Sequence, residues 1–421
     1  MTRPRVVIVG GGFGGLYAAR ALSGAPVDVT VIDRTNHHVF QPLLYQVATA
    51  TLAATDITAP IRWLLRNQRN ARVILNEVSG VDIANRRLSI SDDRSIDYDY
   101  LIIAAGARHS YFGHGGWEDL APGLKSIEDA LEIRGRFLLA FERAEQADTP
   151  EAQRAWLTFV VIGGGPTGVE LAGMIPTVAR YGLPSEFKNV DTRTARVILL
   201  EGGPRLLPAF PEDLSQRAAE QLADLGVEIR LDAKVTDVGR DFVSIGGERI
   251  DARTFFWAAG NEPSALGRQL GAPVDHGGRV VVEPDLSVPG HPEIFVVGDL
   301  AAMFKAGVPV PGVAPAAMQS GRRAAHNVLA RIQGRQTVPF VYRNKGDVAT
   351  IGRYRAVALI GGHHLSGWFA WWTWLFIHIL YLAGFRNRLS VLLEWGYSFF
   401  TYKRGTRLIT AGHGRSKPPR A

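Results

Sequence analysis

Apolar and polar positions along this chain repeat one arrangement twice. Arg5-Val-Val-Ile-Val9 is a short β-branched run without polar alternation, which predicts a strand buried on both faces of a parallel sheet. The glycine-rich stretch Gly10-Gly-Gly12-Phe-Gly-Gly15 follows, and Leu16-Tyr-Ala-Ala-Arg-Ala-Leu22 reads as a helix. A second strand over 27–32 closes on Asp33. The order then recurs: a strand over 158–162, Gly163-Gly-Gly165-Pro-Thr-Gly168, a helix from Val169, and a strand over 196–200 that ends in Glu201. Pro176 is expected to bend or end that helix. Three more apolar strands each stop at a glycine: Leu101-Ile-Ile-Ala-Ala-Gly106, Phe255-Phe-Trp-Ala-Ala-Gly260 and Ile294-Phe-Val-Val-Gly298, the last followed by Asp299. Strands alternating with helices predict an α/β fold with helix-covered parallel sheets.

Both glycine stretches have the G-x-G-x-x-G spacing of a turn that receives a dinucleotide. Gly10 and Gly163 make the tight turn, Gly12 and Gly165 let the backbone approach a pyrophosphate, and Gly15 and Gly168 let helix pack on strand. The unpaired amides and dipole of the helix N-terminus favour the anion. Asp33, 23 positions after Gly10, is placed to accept hydrogen bonds from a ribose. Glu201 comes later because a polar loop over 181–194 intervenes. An acid there favours a free 2′-hydroxyl, hence NADH over NADPH, and its plainer reading is a surface glutamate at a strand end.

Two such sites imply two nucleotides, and the N-terminal one, with return segments far downstream, reads as the fixed one. The segments ending at Gly106, Gly260 and Gly298-Asp299 bring the chain back to the crevice, and the Asp299 carboxylate is able to meet a ribityl or phosphate-linker hydroxyl. The expected organisation is two Rossmann-like domains. An FAD domain, residues 1–111 and 265–336, is interrupted by an NAD domain, residues 112–264, and a C-terminal membrane-anchoring region spans 337–421.

Composition narrows the chemistry. The 421 residues contain no cysteine, which removes disulfides, iron–sulfur clusters and thiol redox pairs. The eleven histidines show no metal-ligand spacing, so no metal is expected. A net charge of +7 points to an anionic partner. No helix-turn-helix, zinc module or basic helix is visible, and nucleic acid is set aside. No signal peptide is expected ahead of the first strand, and the core is expected to fold in the cytoplasm.

Charge disappears between Leu365 and Phe385. By length that run suits a membrane span. Trp368, Trp371, Trp372 and Trp374 crowd one half, and Arg386 and Arg388 follow, which suits a helix lying in the interface. A second apolar stretch over 389–400 keeps Glu394 and ends in Lys403, Arg404 and Arg407, basic groups fitted to an anionic surface. A buried core or dimer helix is the third reading, because the apolar residues go almost all the way round. The segment 341–360 alternates like strands around Gly352 and is expected to pack this tail onto the FAD domain.

The fingerprints and Gly298-Asp299-Leu resemble those of the two-dinucleotide-binding flavoprotein disulfide reductases. Phe40-Gln-Pro-Leu-Leu-Tyr-Gln-Val-Ala-Thr-Ala50 is similar to the segment after the first fingerprint in type II NADH:quinone oxidoreductases. Gly163-Gly-Gly-Pro-Thr-Gly-Val-Glu-Leu-Ala-Gly173 and Leu380-Tyr-Leu-Ala-Gly-Phe-Arg-Asn-Arg388 fit the same family. The resemblance implies non-covalent FAD with Gln41 among its cofactor-binding residues, NADH as substrate, and a membrane quinone, ubiquinone or menaquinone, as acceptor. It implies a peripheral enzyme on the cytoplasmic face of the cell inner membrane that pumps no protons. Whether it is a homodimer stays open. Ala314-Pro315-Ala-Ala-Met-Gln319 resembles the quinone-side motif A-Q-x-A-x-Q, so Gln319 is implied near flavin and quinone, while Pro315 replaces the first glutamine. Glu170 matches an acid that links nicotinamide and quinone ends; otherwise it is a dipole-favoured acid near a helix start. A soluble reductase serving a ferredoxin or rubredoxin has no use for the tail. A non-catalytic membrane sensor would not turn over NADH with a quinone analogue.

Overall fold

The computed structural model describes residues 3–382, 385–401 and 406–409. Ala383, Gly384, Lys403 and Arg404, which belong to the sequence reading of the tail, lie outside the described residues. The chain divides into two units, each assembled from three segments.

The first unit comprises Met1–Val39, Thr58–Arg108 and Asn261–Lys345. Its six-stranded sheet runs in the order Ser287–Val288, His291–Val296, Tyr100–Ile103, Arg5–Val9, Asp28–Asp33, Ala71–Leu75. All neighbours are parallel except the short outer strand Ser287–Val288. Val6, Val7, Ile8 and Val9 are buried at its centre, as an unbroken β-branched run requires. Helices Phe13–Ala21 and Ala314–Ile332 pack so closely that a Cβ on Gly321 would run into the Gly14 main chain.

The second unit comprises Phe40–Ile57, His109–Gly260 and Gly346–Ala421. A parallel sheet ordered Val227–Arg230, Arg196–Leu200, Thr158–Ile162, Thr254–Trp257 forms its centre. The helix Pro166–Tyr181 continues past Pro176, so of the bend or end that the sequence predicts the end does not occur. Burial of nearly every residue from Gly168 to Ala179 offsets the hydrogen bond that proline removes. Strands Asp347–Gly352, Arg355–Ile360 and His363–Ser366 form an antiparallel sheet. The tail is thereby packed within the second unit, which also holds segment 40–57 from the stretch that the sequence reading gives to the FAD domain. Gly173 faces the Ile351 carbonyl with no room for a Cβ, and Arg355 pairs with Asp224 on helix Glu212–Asp224 at 2.9 Å.

Helices Gly367–Tyr381 and Phe385–Thr401 complete the second unit. The first is about 22 Å long at 1.5 Å per residue, against about 30 Å of hydrocarbon. Among the described residues, no helix is long and apolar enough to cross a membrane.

Candidate functional site

In the first unit the chain leaves strand Arg5–Val9 through Gly10, whose φ of +99° is open to glycine but costly for other residues. Asp33 braces the turn. Its carboxylate accepts the Gly11 N–H at 2.5 Å and the Thr35 N–H at 2.7 Å. His38, buried, has Nδ1 3.0 Å from the Gly11 carbonyl oxygen. Burial pushes this imidazole down to about 4, so at neutral pH it is uncharged and Nδ1–H donates to that carbonyl. No local pattern marks His38, because its partner Gly11 lies 27 positions earlier in the chain.

The second unit repeats the device. Gly163 has φ +110°, and Glu201 accepts the Gly164 N–H at 2.5 Å and the Gly203 N–H at 2.7 Å. Asp33 and Glu201 are therefore turn braces first. A carboxylate has about four acceptor positions, so each retains capacity for a ribose hydroxyl. At Gly15 and Gly168 an added Cβ would strike the carbonyl oxygen of Gly10 or Gly163. At Gly12 and Gly165 it would meet no protein atom within 4 Å. That open space, lined by main chain at a helix start, fits a pyrophosphate in both units.

Two of the three return segments, those ending at Gly106 and Gly298, reach the first turn, while the one ending at Gly260 joins the sheet of the second unit. The Ala104 N–H donates to the Val9 carbonyl at 2.8 Å and the Val297 N–H to that of Ile103 at 3.0 Å. A Cβ on Gly14 would touch both Val297 and Ala104. Gly298 receives its bond partner from the next helix, donating to Ser320 Oγ at 3.2 Å, and Asp299 lies beside Gly312. Gly106 accepts the Ser264 N–H at 3.1 Å. In the second unit Gly260 follows strand Thr254–Trp257, and the Ala258 N–H donates to Ile162 at 2.7 Å.

Gln319 grips the main chain of Arg343: Nε2 donates to its carbonyl and Oε1 accepts its N–H, both at 3.0 Å. Gln41 belongs to the second unit, is exposed, and donates to the Lys125 carbonyl at 3.3 Å. Gln41 and Glu170 are thus in the second unit with Gly163, Gly165, Gly168, Glu201 and Gly260, while the remaining predicted residues are in the first.

Glu170 lies in the first turns of helix Pro166–Tyr181. It keeps some exposed surface, yet the protein around its carboxyl strips away hydration and raises its pKa well above the usual glutamate value. A hydrogen bond from the Thr350 N–H opposes this and is the smaller effect. A helix dipole acting alone would lower the value, so desolvation decides.

Segment 40–57 and the two C-terminal helices form one aromatic assembly. Trp395 Nε1–H donates to Gln46 Oε1 at 2.8 Å, and Gln46 Nε2–H to the Tyr45 hydroxyl at 2.9 Å. Trp374 lies 5.1 Å from Trp395 and 4.6 Å from the His378 ring, which meets Phe40 edge-on at 6.1 Å. Ser390 donates to Asp56 at 2.8 Å. Ala370, Trp374 and His378 are the buried row of helix Gly367–Tyr381. Trp368, Trp372, Phe376 and Leu380 form an exposed row, with Phe376 and Leu380 more than three-fifths accessible at 62% and 64%. Leu389, Leu392 and Leu393 continue apolar exposure on the next helix.

Comparison with known proteins places this geometry. Residues 4–321 match the family described as pyridine nucleotide-disulphide oxidoreductase. The chain is 46% identical to the type II NADH:quinone oxidoreductase Ndh of Mycobacterium tuberculosis, across 97% of this chain and 90% of that protein. It is 30% identical to the type II NADH:quinone oxidoreductase of Staphylococcus haemolyticus, across 87% and 92% respectively. A solved structure of NDH2 from Plasmodium falciparum in complex with NADH shares the fold, with a TM-score of 0.87 at 21% identity, covering 97% of this chain and 100% of that one.

Proposed function

This chain belongs to the pyridine nucleotide-disulphide oxidoreductases and, among them, to the type II NADH:quinone oxidoreductases, and from that premise we propose that it oxidises NADH through FAD and delivers the electrons to a quinone at a membrane surface. The observation that carries the reading is the pair of braced turns, each open only where a pyrophosphate would lie. FAD, held without a covalent bond, supplies an acceptor for a hydride from the nicotinamide and a donor of two electrons to the quinone. The protein binds, orients and excludes water.

The first turn, with Gly10, Gly12, Gly15, Asp33, Gly106, Gly298 and Asp299, is assigned to FAD. The second, with Gly163, Gly165, Gly168, Glu201 and Gly260, is assigned to NADH, Glu201 favouring a free 2′-hydroxyl. Gln41 is assigned to cofactor binding. Gln319 is assigned to the flavin side of the quinone site, its orientation fixed by the Arg343 main chain. Glu170 is assigned a proton-carrying role, because a carboxyl kept protonated above the usual range can release a proton as a quinone is reduced.

The exposed apolar row of helix Gly367–Tyr381 is assigned to the bilayer surface, on the cytoplasmic face of the cell inner membrane. Tryptophan in that row suits headgroup depth. The quinone is ubiquinone or menaquinone, and no protons cross the bilayer in the reaction. The test is the triple variant Trp368→Ser, Trp372→Ser, Phe376→Ser. These side chains are exposed, whereas Trp371 packs on Tyr354 at 5.2 Å and is unsuited to the purpose. The variant should leave the membrane fraction and still reduce ferricyanide with NADH, but lose most activity with a long-tailed quinone. Parental quinone reduction by soluble variant protein would sink the membrane assignment.

A further inference from the structure

Phe112 is a large apolar ring held where burial does not reward it. It is 66% exposed, and its φ of +51° lies in the left-handed region, which is strained for a residue with a Cβ. Its neighbours fix it there. The Phe112 N–H donates to Ser110 Oγ at 3.4 Å, the Ser110 N–H to the Gly260 carbonyl at 3.4 Å, and Trp257 Nε1–H to the Ser110 carbonyl at 2.9 Å. The ring lies over Gly260, where a Cβ would stand 2.6 Å from Phe112 Cζ. Its ring also meets that of the buried Trp257 at 6.3 Å, a contact that leaves most of the Phe112 ring exposed.

The sheet order says what the ring faces. Glu201 ends the strand on one side of Thr158–Ile162, and Gly260 follows the strand on the other. A dinucleotide crosses the carboxyl ends of such a sheet with its pyrophosphate at the glycine turn and its adenine ribose at the acid of the second strand. The nicotinamide half then extends toward Gly260. We propose that the Phe112 ring packs against one face of the nicotinamide ring of NADH, the other face being left for the hydride acceptor, with glycine at 260 leaving the phenyl ring room. This rests on the reading of the second turn as the NADH site. A strained, exposed ring held ready gives the ligand an apolar face without a reorganisation cost at binding.

The test uses FAD-loaded, detergent-solubilised full-length protein and two probes, NAD⁺ and ADP-ribose, which lacks only the nicotinamide. Calorimetry of Phe112→Ala should show NAD⁺ binding weakened about five- to tenfold and ADP-ribose binding changed by less than about twofold. The KM for NADH should rise in parallel while the KM for quinone stays constant. Phe112→Tyr, which keeps the ring, should restore both. Unchanged NAD⁺ binding, or equal weakening of both probes, overturns the proposal. If the parent protein binds neither probe, the second-turn reading falls, and this proposal with it.

Discussion

The indole N–H of Trp395 donates to the side-chain oxygen of Gln46 at 2.8 Å, joining residues 349 positions apart. Gln46 is buried, so this bond satisfies an acceptor that water does not reach. With Ser390 on Asp56 and Thr406 Oγ1 on the Ala50 carbonyl at 2.7 Å, it fastens the C-terminal chain to segment 40–57. The C-terminal helices are consequently structural parts of the second unit as well as an apolar surface.

Removing either partner of that bond should leave the other unsatisfied at a cost of about 1–3 kcal/mol. Trp395→Phe and Gln46→Met should each lower the melting temperature of the FAD-loaded protein. The double variant should lose less than the two decrements added together, because the pair fails once. Strictly additive shifts in a thermal-unfolding series would mean that the contact contributes nothing.

Gly12 and Gly15 separate cofactor binding from folding. Gly12→Val meets no protein atom within 4 Å of its Cβ, so the chain should fold, while the isopropyl group fills the pyrophosphate space. The purified variant should be colourless, with FAD content down by about tenfold or more. Gly15→Val drives a side chain into the Gly10 carbonyl and should instead give little soluble protein. Yellow, fully loaded Gly12→Val protein would refute the FAD assignment of the first turn.

Glu170 makes stability depend on pH in a direction opposite to a paired carboxylate. Its pKa is raised on folding, so between the ordinary glutamate value and its raised one the folded state binds more protons than the unfolded. Its favourable contribution is complete below the ordinary value and is lost as pH rises through the raised one. Glu170→Gln should therefore match the parent in melting temperature near pH 4 and exceed it at pH 8. Its quinone reductase activity should fall and lose a pH-dependent limb, while ferricyanide reduction persists. Equal melting temperatures at pH 8 would show that the carboxyl is well solvated.

Sequence alone determined both strand–turn–helix units, the glycine at each constrained position, the acids Asp33 and Glu201 at the ends of their strands, and the return strands ending at Gly106, Gly260 and Gly298. It could do so because sign of φ, space for a phosphate and burial of a strand are settled within about 30 residues of chain. It also located an uncharged tail. It could not say which face of helix Gly367–Tyr381 is covered, since nearly every position there is apolar; packing of Ala370, Trp374 and His378 within the second unit decided that. Nor could it find His38 on the Gly11 carbonyl, Gln46 under Trp395, or Thr350 at Glu170. Each of these depends on contacts between segments distant in the chain, and the protonation of Glu170 and His38 follows from how much water those contacts exclude, a property of the folded surroundings that no local pattern of residues encodes.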